Sequence, residues 1–303
     1  MLKKIVAAMK KPERIWFFCS RRGLLWWVSD KKFLEKVYKL RFGRKLDLNE
    51  PKTYNEKLQW LKLYDRKPIY TIMVDKYEAK KYVADKIGEE YIIPTLGVWD
   101  SPKDIEFDAL PNQFVLKWNH DSGSIVICKD KSRLNYKEVL RKLRLGKKHS
   151  GFWYGREWPY KNVEKKIIAE KYMEDQNEAE GLTDYKFYCF NGEPKFLYVS
   201  EGLQDHSTAR ISFLTTDWQF APYERTDFRP FDNLPRKPEC LSQMLDICKK
   251  LSENIPFLRV DLYEINGQIY FSELTFFPCS GFLPFKNPEH DIEIGEMLNL
   301  PKM

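Results

Sequence analysis

The spacing of apolar residues predicts helices in the first part of the chain. Apolar side chains recur there every three or four residues, which is the period of a helix that buries one face. Thr53 is a suitable N-cap, and Glu56 stands three positions later, where it can complete a capping box. Gly88 is placed to end a helix. The predicted helices are residues 31–42, 54–65 and 74–88.

From residue 113 onward the pattern changes, because apolar and polar residues alternate as they do in half-buried β-strands. Asn191-Gly192 and Asn266-Gly267 each separate two such segments. Asn-Gly favours a type I′ turn, so two hairpins are predicted. The predicted strands are 91–99, 113–118, 124–129, 165–173, 184–190, 194–200, 210–216, 257–265 and 268–278, with further helices at 135–146, 239–253 and 289–298.

The composition is that of an ordinary globular protein. The chain has 303 residues, of which 43% are hydrophobic and 31% charged, and its length is ample for a buried core. No apolar run approaches the roughly 20 residues that span a bilayer. The six cysteines are scattered without a CxxC pair or a zinc-binding spacing, so a reduced, cytoplasmic location is expected and a structural metal site is not.

The net charge of +7 is concentrated at the N-terminus. Residues 1–48 carry 14 Lys and Arg against 4 Asp and Glu, a local charge of +10, whereas the remainder carries −3. This segment has two interpretations. It is either a helical extension whose aromatic side chains pack inward, or an interfacial segment on an anionic membrane with Trp16, Trp26 and Trp27 among the headgroups. No nucleic-acid-binding motif follows, so nucleic acid is not expected as a partner.

The last predicted hairpin contains candidate metal ligands. Pairing across its turn places Asp261 opposite residue 272 or 273, depending on register, so that its carboxylate can face that of Glu273. Facing carboxylates repel unless a cation lies between them, and Mg²⁺ is commonly held by one or two carboxylates and substrate phosphates. Arg259 on the same face suits a phosphate or a developing negative charge. The alternative is an exposed sheet face whose charges are paired with lysines.

The segment KWNHDSGSIVI, residues 117–127, contains the three residue types of a hydrolase triad in succession. Side chains alternate faces in an extended segment, so these three do not converge, and no G-x-S-x-G elbow is present. A phosphate-binding loop fits better. Gly123 lets main-chain N–H groups approach an anion, Ser122 and Ser124 add donors, and Lys117 adds positive charge. A flexible hairpin tip has the same composition.

Taken in order, five segments resemble the ATP-grasp superfamily, and specifically its TupA-like branch, which resembles a teichuronopeptide-synthesis protein. They are LNEPKTYNEKLQWLKLYDRKP, VDKYEAKKYVADKIGEEYIIPTLGVWD, FVLKWNHDSGS, DYKFYCFNGEP and RVDLYEINGQIYFSELTFFPCSG, spanning about residues 45–300. The resemblance implies an α+β ATP-grasp fold in which two α+β subdomains enclose ATP, after a basic helical N-terminal extension. It also implies ATP and Mg²⁺ as cofactors.

The resemblance further implies a division of the chain and a set of site residues. The parts are a basic aromatic segment (1–48), an N-terminal α/β subdomain (49–112), a lid subdomain (113–173) and a C-terminal subdomain with the Mg²⁺ site (174–303). The implied catalytic residues are Arg259, Lys117 and Lys186, and the implied metal ligands are Asp261, Glu273 and Thr275. The implied nucleotide-binding residues are Lys76, Lys117, Ser122, Gly123, Ser124, Glu170, Lys171, Tyr172, Met173, Glu178, Asp184 and Lys186.

Three of these assignments carry specific expectations. Residues 170–173 are expected to form the linker that reads adenine, chiefly through backbone groups, and Glu178 is expected to hold the ribose. Thr275 is a departure, because the superfamily usually has asparagine there and a hydroxyl is a weaker ligand for Mg²⁺. His120 and Asp121 receive no role.

The expected function is that of an ATP- and Mg²⁺-dependent carboxylate–amine ligase acting through an acyl phosphate. Its expected partners are an amino acid and a sugar acid or glycan acceptor in cell-surface polysaccharide synthesis. A peripheral position on the inner face of the membrane is expected if residues 1–48 bind lipid. One alternative is a glycosyltransferase of a capsule or O-antigen pathway, although no D-x-D motif is present. The other is a non-catalytic glycan- or membrane-binding scaffold, which Thr275 would favour.

Overall fold

Two antiparallel sheets and a set of helices make up the fold, which confirms the predicted α+β class. The structure, a computed structural model, describes residues 12–175, 182–201 and 209–302. Each sheet has its own hydrophobic core. Buried side chains of the N-terminal helices belong to the core of the larger sheet. No helix in the described part of the chain has the length and apolarity needed to cross a membrane.

The smaller sheet has the strand order β1-β4-β2-β3. Its strands are β1 (Thr95–Trp99), β2 (Phe114–Trp118), β3 (Val126–Cys128) and β4 (Ile167–Lys171). Trp118 is fully buried beneath the helix Tyr136–Gly146, and its Nε1 donates to the carbonyl of Leu143 at 2.7 Å. β1 precedes residue 113, so this sheet begins earlier in the chain than the expected start of the lid subdomain.

The larger sheet has the strand order β7-β6-β5-β8-β9. Its strands are β5 (Asp184–Phe190), β6 (Glu193–Glu201), β7 (Arg210–Thr215), β8 (Phe257–Ile265) and β9 (Gln268–Thr275). Both predicted hairpins are present. Asn191, Gly192, Asn266 and Gly267 all have positive φ angles, as a type I′ turn requires.

Helices pack against both sheets. The α-helices are Pro12–Arg21, Asp30–Phe42, Tyr54–Tyr64, Ile69–Val74, Glu78–Ile87, Tyr136–Gly146, Gly151–Gly155, Leu241–Ser252 and Glu289–Glu296. The 3₁₀ helices are Glu89–Tyr91, Pro102–Asp104, Phe107–Ala109, Lys131–Arg133, Trp158–Asn162 and Pro278–Gly281. The predicted capping box is confirmed, since Thr53 Oγ1 accepts the N–H of Glu56 and Glu56 Oε2 accepts the N–H of Thr53.

The predicted helix at 74–88 is wrong at its start. The carboxylate of Asp75 accepts the N–H groups of Tyr77 at 2.9 Å and Glu78 at 3.3 Å, which interrupts the helix and restarts it at Glu78. The helix ends as predicted, because Gly88 donates to the carbonyl of Ala84. This interruption leaves the Asp75–Tyr77 segment outside any helix, and that segment contains Lys76.

Lys62 joins three segments of the fold. It is fully buried, and its ammonium group donates to Gln59 Oε1 at 3.0 Å and to the carbonyls of Gly155 at 2.8 Å and Ser280 at 2.7 Å. Burial lowers the pKa of Lys62 to about 7. The three acceptors favour the charged form, because only an ammonium group has three N–H donors.

Replacing Lys62 by Met is expected to lower the free energy of unfolding by about 3 kcal/mol, because two buried carbonyls lose their donor. Lys57→Met is the matched control on the same helix. Lys57 also donates to two carbonyls, those of Gly295 and Leu298, but it is half-buried and water can replace it. Urea denaturation of both variants measures the difference. Equal losses would contradict the role assigned to Lys62.

Candidate active site

A turn organised by Asn119 follows β2. Asn119 is fully buried, and its Nδ2 donates to Asp75 Oδ2 at 2.8 Å and to the carbonyl of Glu164 at 2.7 Å. Its Oδ1 accepts the N–H of Lys166 at 3.0 Å. Its main-chain carbonyl accepts the N–H of Lys76 at 3.1 Å. These bonds fix the backbone of Lys76 at the end of the smaller sheet.

A carboxylate pair lies on β8 and β9 of the larger sheet. Asp261 is directly opposite Glu273, which is one of the two predicted registers, and a β-bulge lies between Asp261 and Leu262. Arg259 binds both oxygens of Asp261, at 2.7 and 2.6 Å, and Glu273 Oε1 at 2.9 Å. The same guanidinium donates to Thr275 Oγ1 at 3.0 Å. One arginine therefore holds together the three residues expected to bind metal.

Two lysines complete this cluster. Lys76 reaches from the smaller sheet to Glu273 Oε2 at 3.1 Å. Lys186 on β5 lies opposite Asp261, whose Oδ2 it contacts at 3.0 Å, and it also binds Asp184. The cluster thus sets three carboxylates against three cations and joins the two sheets.

Two members of this cluster, Glu273 and Lys186, are held in their charged forms by their neighbours. Burial alone would raise the pKa of Glu273, but Lys76 and Arg259 outweigh it and hold this pKa well below its usual range. Burial alone would lower the pKa of Lys186, but Asp184 and Asp261 raise it well above its ordinary value. Glu273 and Lys186 are therefore ionised at neutral pH, whereas burial raises the pKa of Asp184 in the same cluster.

The donor set fits a magnesium ion whose coordination is completed by phosphate oxygens. Within the described ranges, no group of three or more His, Cys, Asp or Glu side chains lies close enough to hold a metal by itself. Asp261 and Glu273 offer two facing carboxylates, and the buried Asp184 Oδ1 has no hydrogen-bond partner among the residues that the structure describes. Mg²⁺ is commonly bound through one or two carboxylates plus substrate phosphates.

A second ionic cluster lies on the smaller sheet. Glu170 on β4 is buried, and its two oxygens bind Lys80 at 2.7 Å and Lys117 at 2.6 Å. Lys80 also donates to the carbonyl of Ile93 and to Thr95 Oγ1. Lys80 has no place among the residues implied by the resemblance. Its sequence signal is its position in VDKYEAKK, four residues after Lys76.

A cleft of about 490 Å³ adjoins this second cluster. Its lining residues are Tyr77, Glu78, Lys80, Lys81, Glu89, Ile92, Pro94 and Thr95. The expected adenine linker runs beside it, and the N–H of Lys171 donates to the carbonyl of Pro94 at 3.0 Å. Two residues of the linker are thus held in place, Glu170 by two lysines and Lys171 by the carbonyl of Pro94. Tyr172 and Met173 follow the end of β4. Glu178 lies outside the described residues.

Asp121 organises the expected phosphate loop. Its Oδ1 accepts the N–H of Gly123 at 3.2 Å and contacts His149 Nδ1 at 3.0 Å. Its Oδ2 accepts the hydroxyl of Ser124, which is buried, whereas Ser122 and Gly123 are exposed. The structure thus gives Asp121 a local role that the sequence did not indicate, in holding the loop together.

His120 is buried beside Trp118, and neither of its ring nitrogens has a hydrogen-bond partner in the described part of the molecule. Burial, reinforced by Lys165, lowers the pKa of His120 to about 4, so the ring is neutral at neutral pH. A hydrolase triad needs its histidine bonded to both a hydroxyl and a carboxylate. His120 is therefore not arranged as the base of such a triad.

Glu170→Gln is expected to lower the free energy of unfolding at neutral pH by about 2 kcal/mol, because two lysines lose a buried counter-ion. Burial would raise the pKa of Glu170, but Lys117 and Lys80 outweigh it and lower this pKa. The depressed value means that the stabilisation is present above the unfolded pKa of about 4.3 and is lost as pH falls below it.

Urea denaturation at several pH values checks this expectation. The difference in stability between wild type and Glu170→Gln should be constant from about pH 5 to 8 and shrink below about pH 4.3. The control is Glu174→Gln, which alters an exposed carboxylate nearby. A difference that persists unchanged into acid would show that the ion pairs do not stabilise the fold.

Comparison with known proteins gives distant structural likenesses. No curated protein matches the sequence. A D-alanine–D-alanine ligase from Bacillus anthracis, solved in complex with ATP, is 15% identical, with a TM-score of 0.39 over 68% of this chain and 54% of that chain. The chain thus spans about half the length of that protein.

Two further solved structures show a similar degree of likeness. A D-alanine–D-alanine ligase from Helicobacter pylori is 15% identical, with a TM-score of 0.40 over 82% of this chain and 70% of that chain. The D-cycloserine synthetase DcsG is 16% identical, with a TM-score of 0.42 over 76% and 71%.

The family comparison is the decisive one. Residues 56–299, which are most of the chain, match the family described as TupA-like ATPgrasp. This range includes both ionic clusters, the loop after β2 and both hairpins. The chain therefore belongs to the TupA-like ATP-grasp family.

Proposed function

We propose that this protein is an ATP- and Mg²⁺-dependent ligase that joins a carboxylic acid to an amine through an acyl phosphate. The observation that carries the proposal is the cluster around Asp261 and Glu273, in which facing carboxylates are surrounded by Lys76, Lys186 and Arg259. Phosphoryl transfer needs such an arrangement, because its catalysis consists mainly of positioning and charge stabilisation. Family membership is consistent with it.

Asp261, Glu273 and Thr275 would hold the magnesium, which when bound neutralises charge on the transferring phosphate. Arg259 already contacts all three, so it lies beside any phosphate that reaches them. It is the residue proposed to stabilise the negative charge that develops during transfer. Lys186 is proposed to contact the same phosphates from β5.

The nucleotide is proposed to lie between the two ionic clusters. Its base would occupy the cleft beside residues 170–173, and Glu178 would hold its ribose. Lys117 and Lys76 would contact its phosphates, with Lys80 as an additional cation at the cleft. The loop 122–124 would close over the phosphate chain through its N–H and hydroxyl donors.

The reaction proposed for these residues has two steps. An oxygen of the substrate carboxylate attacks the terminal phosphorus of ATP, and ADP leaves, which gives an acyl phosphate. The amine then attacks the acyl carbon, and inorganic phosphate leaves with the formation of an amide. The acid is proposed to be a sugar acid or glycan and the amine an amino acid, because the TupA-like branch is associated with cell-surface polysaccharide synthesis.

Hydroxylamine provides the sharpest test of the acyl phosphate. The protein is incubated with ATP, Mg²⁺ and candidate uronic acids, with either an amino acid or hydroxylamine as the amine. ADP and phosphate should form in equal amounts, and hydroxylamine should yield the hydroxamate of the acid. In a parallel incubation with a nucleotide sugar in place of ATP, its consumption without formation of ADP would instead indicate a glycosyltransferase. Binding of glycan without turnover would indicate a non-catalytic scaffold.

Glu273→Gln and Lys117→Ala are each expected to reduce ADP release at least about a hundredfold, because the first removes a charged ligand for the magnesium and the second a cation that contacts the phosphates. Glu293→Gln and Lys137→Ala are matched controls, since they make the same changes at exposed positions. The circular dichroism of all four variants checks that they fold. Unchanged turnover in both site variants would refute the assignment of these residues.

A further inference from the structure

We propose that the described part of the N-terminal extension is a docking surface for an anionic lipid membrane. This N-terminal surface consists of exposed apolar side chains followed by exposed basic ones. Its members are Ile15, Phe18, Arg22, Leu24, Trp26, Trp27, Lys31, Lys32, Lys36, Lys39 and Arg41. The inference is independent of the proposed function, because it involves none of the residues of either ionic cluster.

Exposed apolar area is concentrated in this surface. Trp26 and Trp27 are 74% and 70% exposed, and Leu24 and Phe18 are 57% and 54% exposed. These are the four most exposed large apolar side chains in residues 15–175, 182–201 and 209–302, and they lie within ten positions of one another. Concentrated apolar exposure of this kind marks a binding site, whereas single exposed apolar residues are ordinary.

The inward face of the same segment is already used in packing. Phe17 is buried, with its ring centroid 4.6 Å from that of Tyr154 and 6.4 Å from that of Phe282. Trp16 contacts Phe33 edge to face. The helix Pro12–Arg21 thus presents one aromatic face to the core and another to solvent. The most exposed side chains of the segment thus lie outside the buried core.

The turn that carries the two tryptophans is attached to the protein body. Arg156 is almost fully buried, and its Nη2 donates to the carbonyl of Leu25 at 2.9 Å. Its Nε lies 3.5 Å from Asp30 Oδ1. Ser20 Oγ also donates to the carbonyl of Trp153. Docking of a pre-positioned turn loses less conformational entropy than the folding of a free tail.

The charge pattern selects an anionic lipid surface as the partner. The helix Asp30–Phe42 exposes Lys31, Lys32, Lys36 and Lys39, whereas the chain beyond residue 48 carries a net charge of −3. Tryptophan favours the headgroup region of membranes, and each Lys or Arg near an anionic leaflet contributes about 1 kcal/mol. The guanidinium of Arg22 lies 3.5 Å from the centroid of the Phe18 ring, so this basic group adjoins one of the exposed apolar side chains.

Co-sedimentation of the full chain with lipid vesicles tests the proposal. One set of vesicles contains phosphatidylcholine alone, and the other contains phosphatidylcholine with phosphatidylglycerol. The protein should sediment with the anionic vesicles and much less with the neutral ones, and added NaCl should weaken the binding. Failure to bind anionic vesicles, or equal binding to both kinds, would overturn the proposal.

Two variants locate the binding on this surface. Trp26→Ser with Trp27→Ser should reduce partitioning at least about tenfold, through loss of interfacial apolar area. Lys31→Gln with Lys36→Gln should reduce it roughly thirtyfold, through loss of two charges at about 1 kcal/mol each. The matched controls are Leu145→Ser with Ile292→Ser, and Lys137→Gln with Lys195→Gln, all at exposed positions elsewhere.

Sedimentation velocity without lipid tests whether a second copy of the chain, and not a membrane, covers this surface. Under the proposal, the sedimentation coefficients of wild type and the tryptophan variant should agree. A wild-type dimer that the tryptophan variant converts to monomer would show that a second copy of the chain covers the surface. That result, or wild-type vesicle binding by both site variants, would refute the lipid interpretation.

Discussion

The buried amide of Asn119 is the interaction on which the arrangement of the site depends. The Nδ2 and Oδ1 atoms of this side chain and the main-chain carbonyl of Asn119 all form hydrogen bonds. These bonds connect the end of β2, the segment before β4 and the segment around Lys76. A fully satisfied buried polar group specifies one geometry strongly, because any shift leaves a donor or acceptor unpaired. Lys76 is consequently held at the smaller sheet while its ammonium group reaches Glu273 on the larger one.

From Lys76 the ionic contacts continue without a break to Glu273, Arg259, Asp261 and Lys186. Buried ion pairs contribute little net stability, because desolvation offsets most of the attraction. A network of this size therefore contributes little to folding, which is in keeping with the proposed binding of phosphate and metal. Lys62 differs from this network, because its ammonium group donates to the main-chain carbonyls of Gly155 and Ser280 and so connects segments of the fold.

Local chemistry made parts of this structure predictable from sequence. The Asn266-Gly267 turn predicted the hairpin and placed Asp261 opposite residue 272 or 273, and the capping box at Thr53 needed only two residues three positions apart. The β-bulge next to Asp261, which sets its carboxylate against Glu273, has no such local signal. Long-range contacts were not predictable. Asp75 interrupts a helix whose apolar spacing is continuous, and Asn119 recognises Asp75 across 44 residues. Apolar periodicity likewise could not distinguish the buried aromatic side chains of the N-terminal segment from its exposed ones.

The equality of three carboxylates and three cations constrains how this site can change. Loss of one member leaves a buried charge without its partner, which is more damaging than loss of the pair. Asp261, which is fully buried, is held by both Arg259 and Lys186, so neither cation can be exchanged independently of it. Viable substitutions in this cluster should accordingly arise in charge-compensating pairs. We therefore expect that a relative lacking one of the six residues also lacks one of opposite charge.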